Sequence, residues 1–347
     1  MADDDKTIRL NDDDPDKTVR AGQNIIGANA SDDIDKTVRA GSGIISSDND
    51  ATVRADGGFI SSDSTLTDSA PKLAVNVTQL STFVLNQKTY KRIKVISEST
   101  GEAQIFLLEK DGEKSVLKLY LPNIKPKEAL IKKMRAITHK DILQVLDYGY
   151  FEGRFFEILE FAAGATLDTY LPIRDMKKIK EIVDETADAL EFCHSKGIIH
   201  RDIKPENIFY KNADGSDVLI GDFGISSLLD ENQEAQVTGQ ARTMVYAAPE
   251  LYQSLDGKAF VSKELDYYAL GITLIKIWTA ENPFKGIPEM GIMRIKNLGK
   301  LNIPNEMPEE LKVLIKGLTV VSIEKRWGYK EIKKWLKGES VPVFVEQ

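Results

Sequence analysis

Residues 200–207 read His-Arg-Asp-Ile-Lys-Pro-Glu-Asn, a dense cluster of charged and polar side chains. It lies between two long segments, 176–196 and 263–279, in which apolar residues recur at helical spacing. Two short motifs follow it in order, Asp-Phe-Gly at 222–224 and Ala-Pro-Glu at 248–250. Asp-Phe-Gly alone carries little information, but the stretch 200–207 followed by these two motifs in this order forms a specific pattern.

Upstream of that stretch, apolar and polar residues alternate in strand-length runs. The alternation predicts five strands, at 90–96, 104–109, 114–120, 143–150 and 154–161, and helical spacing predicts one helix at 125–137. Downstream, further helices are predicted at 289–297, 309–320 and 329–337. A strand-rich lobe joined to a helical lobe leaves a cleft between them, where a ligand site is expected.

On these motifs the sequence resembles the eukaryotic-like (Hanks-type) bacterial serine/threonine protein kinases, from about residue 83 to 336. The resemblance implies an α+β, bilobal protein kinase fold over 79–338. Its N-lobe, about 82–161, would be a five-stranded sheet with one helix, and its C-lobe, about 162–338, would be mainly α-helical. Residues 339–347 would be a C-terminal extension. The implied activity is transfer of the γ-phosphate of ATP, with Mg²⁺ or Mn²⁺, to serine and threonine hydroxyls of protein substrates.

Phosphoryl transfer depends mainly on positioning and on charge neutralisation, which explains the residue types in the pattern. By the resemblance, Asp202 is the base that orients the substrate hydroxyl, and Lys204 marks specificity for serine and threonine. Asn207 and Asp222 are implied to hold the metal ions, and Lys118 is implied to hold the α- and β-phosphates.

Supporting positions follow from the same resemblance. Asp266 is implied to brace the catalytic loop, and Glu250 is implied to form a buried ion pair with Arg326. Further residues are assigned to the nucleotide site: Ile105, Val116, Glu160, Ala162 and Phe209.

Two positions depart from the family pattern. Where the family has Gly-x-Gly-x-x-Gly-x-Val over the phosphates, placing Ile105 at the valine leaves Gly101 as the one glycine in the turn. Counting back from residues 139–142 puts Leu130 where the family has a helix glutamate paired with the strand lysine. Glu128 is the nearest acid, about 200° around an ideal helix from Leu130, so either Glu128 is the partner of Lys118 or the pair is absent.

Residues 1–78 are predicted to be a disordered acidic tail. Residues 1–75 hold 15 acidic and 8 basic side chains, whereas the remainder is nearly balanced at 39 and 38. Thr-[Ile/Val]-Arg occurs four times, at irregular intervals that exclude a solenoid. The repeated motif in a tail tethered to a kinase domain predicts autophosphorylation at Thr7, Thr18, Thr37 and Thr52. The resemblance to bacterial kinases implies a forkhead-associated domain as the phosphothreonine reader. The alternative is a solvating linker.

The activation segment, residues 222–250, holds two further phosphorylation candidates, Thr238 and Thr243. Thr243 matches the threonine that contacts the catalytic loop beside the substrate. Because Arg201 precedes the catalytic Asp202, a cationic pocket is available to a phosphorylated Thr238.

Composition and charge bear on the location of the protein and on its partners. No apolar run reaches the roughly 18 residues of a membrane span, the first residues are acidic where a signal peptide is basic, and Cys193 is the only cysteine. We therefore expect a cytoplasmic protein, and the charge balance predicts no nucleic-acid partner. Two alternative functions stay open: a pseudokinase scaffold that presents the tail to partners, and a small-molecule kinase of the aminoglycoside type.

Overall fold

The computed structural model describes residues 76–224, 226–228, 244–252 and 261–345. Most of the predicted tail lies outside these residues. So do the six candidate phosphorylation sites, Thr7, Thr18, Thr37, Thr52, Thr238 and Thr243.

The N-lobe is built on an antiparallel sheet with the strand order β1-β2-β3-β4-β6-β5. Its six strands are β1 Thr82–Leu85, β2 Lys88–Ser97, β3 Ala103–Lys110, β4 Glu113–Tyr120, β5 Val145–Phe151 and β6 Arg154–Glu160. The β3–β4 hairpin turns at Asp111 and Gly112, whose φ angles of 53° and 83° are those that an Asp-Gly turn favours.

The prediction of five strands is therefore corrected to six. The additional strand, β1, has four residues of which two are exposed, so its alternation is too short to stand out. Its turn to β2 runs through Asn86 and Gln87, both at positive φ (46° and 65°), and contains no glycine to signal it. Lys118 consequently lies on the fourth strand of the sheet.

One helix, α1 Glu128–Ala136, packs beside the sheet, against β5. It starts three residues later than the predicted 125–137, because Pro126 disfavours helical backbone at the residue before it. Its buried residues are Leu130, Ile131 and Met134, which lie on one face at helical spacing.

The C-lobe contains five α-helices among the described residues: α2 Met176–Ser195, α3 Glu264–Thr279, α4 Glu289–Asn297, α5 Glu309–Leu318 and α6 Tyr329–Leu336. The carboxylate of Asp175 caps α2 by accepting a hydrogen bond from the Lys177 amide at 2.9 Å. α3 is apolar on nearly all sides and is buried along most of its length, with α5 packed against it. No helix in the described ranges is both long and apolar enough to cross a bilayer.

Short strands hold the stretch 200–207 in place. Two pairs surround it: β7 Ile198–Ile199 with β10 Ser227–Leu228, and β8 Ile208–Tyr210 with β9 Val218–Ile220. The backbone amide of Leu143 donates to the carbonyl of Ile220 at 2.9 Å, which joins the chain entering β5 to β9. Single helical turns occur at Val77–Gln79, Leu167–Tyr170, Pro205–Asn207, Pro249–Tyr252 and Ile323–Lys325.

Candidate active site

Three polar side chains of the loop between β7 and β8 form one hydrogen-bonded group. The Asp202 carboxylate accepts from Lys204 Nζ at 2.7 Å and from Asn207 Nδ2 at 2.8 Å, both at Oδ2. Burial works against a charged lysine, but the Asp202 carboxylate prevails and raises the pKa of Lys204. The group is therefore a fixed ion pair with an amide beside it.

Asp266, near the start of α3, holds the backbone of this loop. Its Oδ2 accepts from the amide of His200 and from His194 Nε2, each at 2.8 Å, and its Oδ1 accepts from the amide of Arg201 at 2.6 Å. Burial opposes ionisation of Asp266, but His194 and the other donors lower its pKa. These bonds keep Arg201 at a φ of 69°, a left-handed conformation that is costly for a side chain with a Cβ.

Asp222 lies next to this loop, since the amide of the preceding Gly221 donates to the backbone carbonyl of Asn207 at 2.9 Å. It too has a left-handed φ, 58°, and its Oδ1 accepts from Lys118 Nζ at 2.7 Å. Burial would raise the pKa of Asp222, but Lys118 lowers it to about 2. Conversely, burial would lower the pKa of Lys118, and Asp222, Tyr120 and Glu157 hold it well above its ordinary value. Both side chains are therefore charged.

Glu157, on β6, is a buried acid next to this pair that motif matching missed. In the β4–β6 register it lies directly opposite Lys118, and its Oε1 accepts from the Tyr120 hydroxyl at 2.6 Å. Lys118 Nζ lies 5.2 Å from the centre of the Tyr120 ring. The one sequence signal for Glu157 is a charged residue inside the apolar run 155–159.

Glu128, the candidate helix partner of Lys118, bonds to a different residue. Its Oε1 accepts a hydrogen bond from the hydroxyl of Tyr150 on β5, whereas Lys118 bonds to Asp222. Leu130, the residue that counting placed at the glutamate position, is buried and lines the same pocket as Lys118. The assignment of Glu128 to the nucleotide site is corrected on this ground, since Glu128 and Leu130 point to well-separated sides of the helix.

The turn before β3 is closed on itself. The Thr100 amide donates to the carbonyl of Ala103 at 2.9 Å, and the Ala103 amide donates back to Thr100 Oγ1 at 3.3 Å. Gly101 takes the left-handed position with a φ of 86°. Both amides are therefore used inside the turn, in the place where a glycine-rich loop would offer such groups to a phosphate.

Two basic side chains hold the segment 244–250, which ends in the Ala-Pro-Glu motif. Arg326 donates to Glu250 through Nη1 at 2.6 Å and Nη2 at 3.0 Å, a buried bidentate pair. Lys296, at the end of α4, is fully buried and donates to the carbonyl oxygens of residues 244, 245 and 247 at 2.7, 2.8 and 2.6 Å. Sequence analysis found the Glu250–Arg326 pair and missed Lys296.

Residues 107–336 match the model of the protein kinase domain, which is about two thirds of the chain. The chain belongs to the protein kinase family. Among its curated relatives, the probable serine/threonine-protein kinase PknB of Lactococcus lactis is 31% identical over 203 residues, covering 56% of this chain and 31% of the relative. The serine/threonine-protein kinase PknJ of Mycobacterium tuberculosis is 36% identical over 154 residues, covering 43% of this chain and 25% of the relative.

A eukaryotic relative, an Aurora kinase of Dictyostelium discoideum, is 29% identical over 220 residues, covering 60% of this chain and 54% of that protein. The aligned part thus spans between a quarter and a third of each bacterial relative and about half of the Aurora kinase.

The donor set for a metal ion can be tested within this kinase domain. Asn207 Oδ1 is buried and accepts no hydrogen bond from the described residues, although the other amide atom of the same side chain is bonded twice. The Gly221 amide donates to the Asn207 carbonyl at 2.9 Å, which places Asn207 beside the residue that precedes Asp222. An unsatisfied amide oxygen near a carboxylate fits Mg²⁺, which prefers oxygen ligands and keeps several waters.

The other residues assigned to the nucleotide site lie on strands β3, β4, β6 and β8 or, for Ala162, just after β6. Ile105 lies opposite Lys118 in the β3–β4 register, and Val116 lies two residues before Lys118 on β4. Ala162 directly follows the residue after β6, and Phe209 is central in β8; all four residues are buried. Glu160 ends β6 and is half-buried, and its Oε2 accepts from the Gln144 amide at 3.3 Å.

Proposed function

We propose that this protein is an ATP-dependent serine/threonine protein kinase that transfers the γ-phosphate to protein hydroxyls. The observation that carries the proposal is the joint presence of the Asp202–Lys204–Asn207 group and the Lys118–Asp222 pair, each bonded as described. The family membership and the names of the relatives support the same activity. Because the reaction consumes ATP, we expect it to take place in the cytoplasm.

Each residue has a distinct role in this proposal. Asp202 accepts the proton of the substrate hydroxyl while the hydroxyl oxygen bonds to the γ-phosphorus and the bond to the ADP oxygen breaks. Lys204, paired with Asp202, steadies that carboxylate and lies where it can neutralise the transferred phosphoryl group. Lys118 holds the α- and β-phosphates. Asn207 and Asp222 hold Mg²⁺ or Mn²⁺, which supplies positive charge to the phosphates.

The apolar wall of the nucleotide site is assigned to Ile105, Val116, Ala162 and Phe209, and Glu160 and Ala162 belong to the segment that joins the lobes. The burial of the four apolar residues supports this assignment.

A pseudokinase scaffold is the alternative from another functional class. Two observations favour it: the turn at residues 100–103 is closed on itself, and Glu128 bonds to Tyr150 in place of Lys118. Neither removes a group that the chemistry requires, since the base, the metal ligands and the strand lysine are all present. The enzymatic proposal is therefore preferred.

Incubation of the purified chain with γ-labelled ATP and Mg²⁺ or Mn²⁺ tests the activity. The wild type should label its own serine and threonine residues, and Lys118→Ala, Asp202→Asn and Asp222→Ala should each lower the rate by roughly a hundredfold or more, since each removes a different charge. Glu113→Gln, an exposed acid on the same strand as Lys118, is the matched control and should label normally. ATP binding without phosphoprotein in the wild type would establish the scaffold in place of the enzyme.

The tail and the activation segment are proposed substrates of this activity. Tethering raises the local concentration of the four Thr-[Ile/Val]-Arg motifs at Thr7, Thr18, Thr37 and Thr52. Weak binding of these motifs to the active-site cleft is therefore enough for phosphorylation. Each phosphate adds about −1.5 to −2 charge. A row of phosphothreonines is a multivalent ligand for a forkhead-associated domain, which is the partner we propose.

Phosphorylation of the activation segment, at Thr238 or Thr243, is supported by two cations near its first residues. Arg201 Nη1 donates to Ser227 Oγ at 2.8 Å, and Lys127 Nζ donates to the carbonyl of Ser226 at 2.9 Å. Burial, with repulsion from Arg201, lowers the pKa of Lys127. Two cations that repel each other form a suitable site for a phosphate dianion.

A further inference from the structure

We infer that Glu157, on the central sheet, is the positioning residue that holds Lys118, in the role that a helix glutamate would otherwise fill. The inference rests on the proposed function, because Lys118 is taken there to hold the nucleotide phosphates. It assigns a role to a residue that no sequence motif marks.

Register places the two side chains together. Lys118 on β4 and Glu157 on β6 are direct cross-strand partners, and such partners have Cβ atoms about 4.5–5.5 Å apart on one face of the sheet. Lys118 is 6% exposed and Glu157 is 8% exposed, and both line the same pocket. Charges buried this deeply need compensation: Lys118 bonds to Asp222 at 2.7 Å, and Glu157 is a second acid whose charge stabilises the lysine cation.

Tyr120 fixes the orientation of the acid. It lies two residues after Lys118 on β4, hence on the same face, and its hydroxyl donates to Glu157 Oε1 at 2.6 Å. Because a carboxylate can accept at both oxygens, this bond leaves Glu157 able to accept from the lysine as well. Burial raises the pKa of Glu157, and Lys118 acts against that rise.

The cations available to Glu157 in this pocket support the assignment. Two lysines line it with Glu157, Lys118 and Lys127. Lys127 Nζ is bonded to the carbonyl of Ser226 at 2.9 Å, outside the sheet, whereas Lys118 comes from the adjacent strand. The compensating charge for Glu157 is therefore Lys118.

The same arrangement explains why α1 carries no acid for Lys118. Leu130 fills that position and is 1% exposed, so the helix presents an apolar side chain to the pocket. With Glu157 built into the strand next to β4, the position of Lys118 is set inside one sheet. The contribution of Glu157 does not depend on the placement of α1, and it would remain when Asp222 turns from Lys118 to a metal ion.

Besides Asp222, a further acid, Glu102, lies near Lys118 and serves as the comparison. Glu102, in the turn before β3, has its Oε2 3.5 Å from the point where a Cβ on Gly224 would lie, and Lys118 Nζ is 3.7 Å from that same point. Glu102 is half-buried and on a turn, whereas Glu157 is buried within the sheet. If Lys118 is held by the sheet, removing the charge of Glu157 has an effect that removing the charge of Glu102 does not have.

The first test uses the protein without nucleotide or metal. Glu157→Gln and Glu102→Gln are each made in the full chain and in the Lys118→Met background, and thermal unfolding midpoints are compared as a double-mutant cycle. We expect Glu157→Gln to lower the midpoint in the wild type and to lower it less, or to raise it, once Lys118 is gone. Glu102→Gln should give the same shift in both backgrounds. Should Glu157→Gln fail to fold, Glu157→Met replaces it in the same cycle.

The second test measures kinetics on the folded variants. Glu157→Gln should raise the KM for ATP by roughly tenfold or more, as expected when one partner of a charge-assisted contact is lost, with the KM for peptide unchanged. Additive midpoint shifts together with an unchanged KM for ATP would overturn the inference. If the wild type transfers no phosphate, the proposed function fails, and the unfolding cycle, which uses no ATP, still decides the role of Glu157.

Discussion

At the scale of single residues, Lys296 is a charge in an unusual place. Its ammonium group lies 5.1 Å from the centre of the Phe284 ring and 5.6 Å from that of Tyr268, and three carbonyl oxygens accept from it. Burial lowers the pKa of Lys296 to about 7, and Glu250 only partly offsets this. The side chain therefore titrates within the range in which the protein can be studied.

This lowered pKa predicts a pH-dependent stability. Between about pH 7 and 10, the unfolded chain keeps a proton on Lys296, whose ordinary pKa is 10.5, and the folded chain does not. Stability therefore rises with pH in this window. Relative to Lys296→Met, the wild-type free energy of unfolding should increase by up to about 1.4 kcal/mol per pH unit. Denaturant unfolding of both proteins at pH 7 and pH 9 measures this difference.

The Lys296→Met variant is the control for the wild type, because all other titrating groups are common to the two proteins. A difference in stability that stays constant between pH 7 and pH 9 would show that the three carbonyls keep Lys296 charged throughout.

At the scale of elements, α5 carries a glycine, Gly317, that its helix propensity does not explain. An alanine Cβ there would lie 2.5 Å from Cε2 of Trp327, and the Trp327 amide donates to the Gly317 carbonyl at 2.9 Å. The ring cannot move away easily, since it is 2% exposed and its Nε1 donates to the Pro342 carbonyl at 3.0 Å. Close packing therefore requires glycine.

Gly317→Ala should therefore destabilise the domain although alanine is the better helix former. We expect overpacking to lower the free energy of unfolding by about 1–3 kcal/mol. The better helix propensity of alanine offsets at most roughly 1 kcal/mol of this. Gly328→Ala is the matched control, because its Cβ would meet Tyr267 at an ordinary 3.5 Å and its φ is −120°. Thermal unfolding of the two variants gives the comparison, and equal midpoints would contradict this account of α5.

The activation segment is the element for which regulation is predicted. Thr238→Ala should lower the rate towards added peptide substrates and leave the KM for ATP nearly unchanged, because a phosphate on Thr238 would order the segment through Arg201 and Lys127. Steady-state kinetics on the phosphorylated wild type and the variant measure this, with Thr243→Ala made in parallel. Equal rates, with stoichiometric phosphate verified on Thr238 of the wild type, would remove this switch from the mechanism.

Most elements of the folded domain follow from their hydrophobic periodicity. α2 and α4 begin where the pattern predicts, because Asp175 and Pro288 mark their starts in the sequence. β1 was missed, because four residues hold too little alternation and the turn at Asn86 and Gln87 carries no glycine. Local pattern therefore finds long elements and loses a short edge strand whose position is set by pairing.

In the candidate site too, residues within local motifs could be assigned from the sequence, whereas residues placed by tertiary structure could not. Asp202, Asn207 and Asp222 could be assigned from the sequence because their chemistry demands fixed residue types at fixed spacing within short motifs, and the assignment stays a prediction. Glu157 was missed, and Glu128, one of two alternatives for Lys118, bonds to Tyr150, because the neighbours of Lys118 are set by strand pairing and helix rotation. Neither can be read from linear distance along the chain.

At the scale of the whole molecule, the tail and the kinase domain are predicted to react within one chain. Autophosphorylation of Thr7, Thr18, Thr37 and Thr52 should have a first-order rate constant that stays the same over a hundredfold dilution, because tethering supplies an effective concentration of about a millimolar. Peptide mapping at each dilution gives the rate for each site. A rate proportional to protein concentration would indicate reaction between molecules, and phosphate confined to residues beyond 80 would leave the tail as a linker.

The pocket between α1 and the sheet has a consequence for small-molecule design. Its wall is largely apolar, with Leu130, Met134 and Leu159, and Glu157 and Asp222 place carboxylates within it. An inhibitor that reaches past the nucleotide and ends in a compact amine could compete with Lys118 for Glu157. Such a compound would discriminate against related enzymes that have a hydrocarbon side chain at this strand position, since there its cation would be desolvated without a counter-ion.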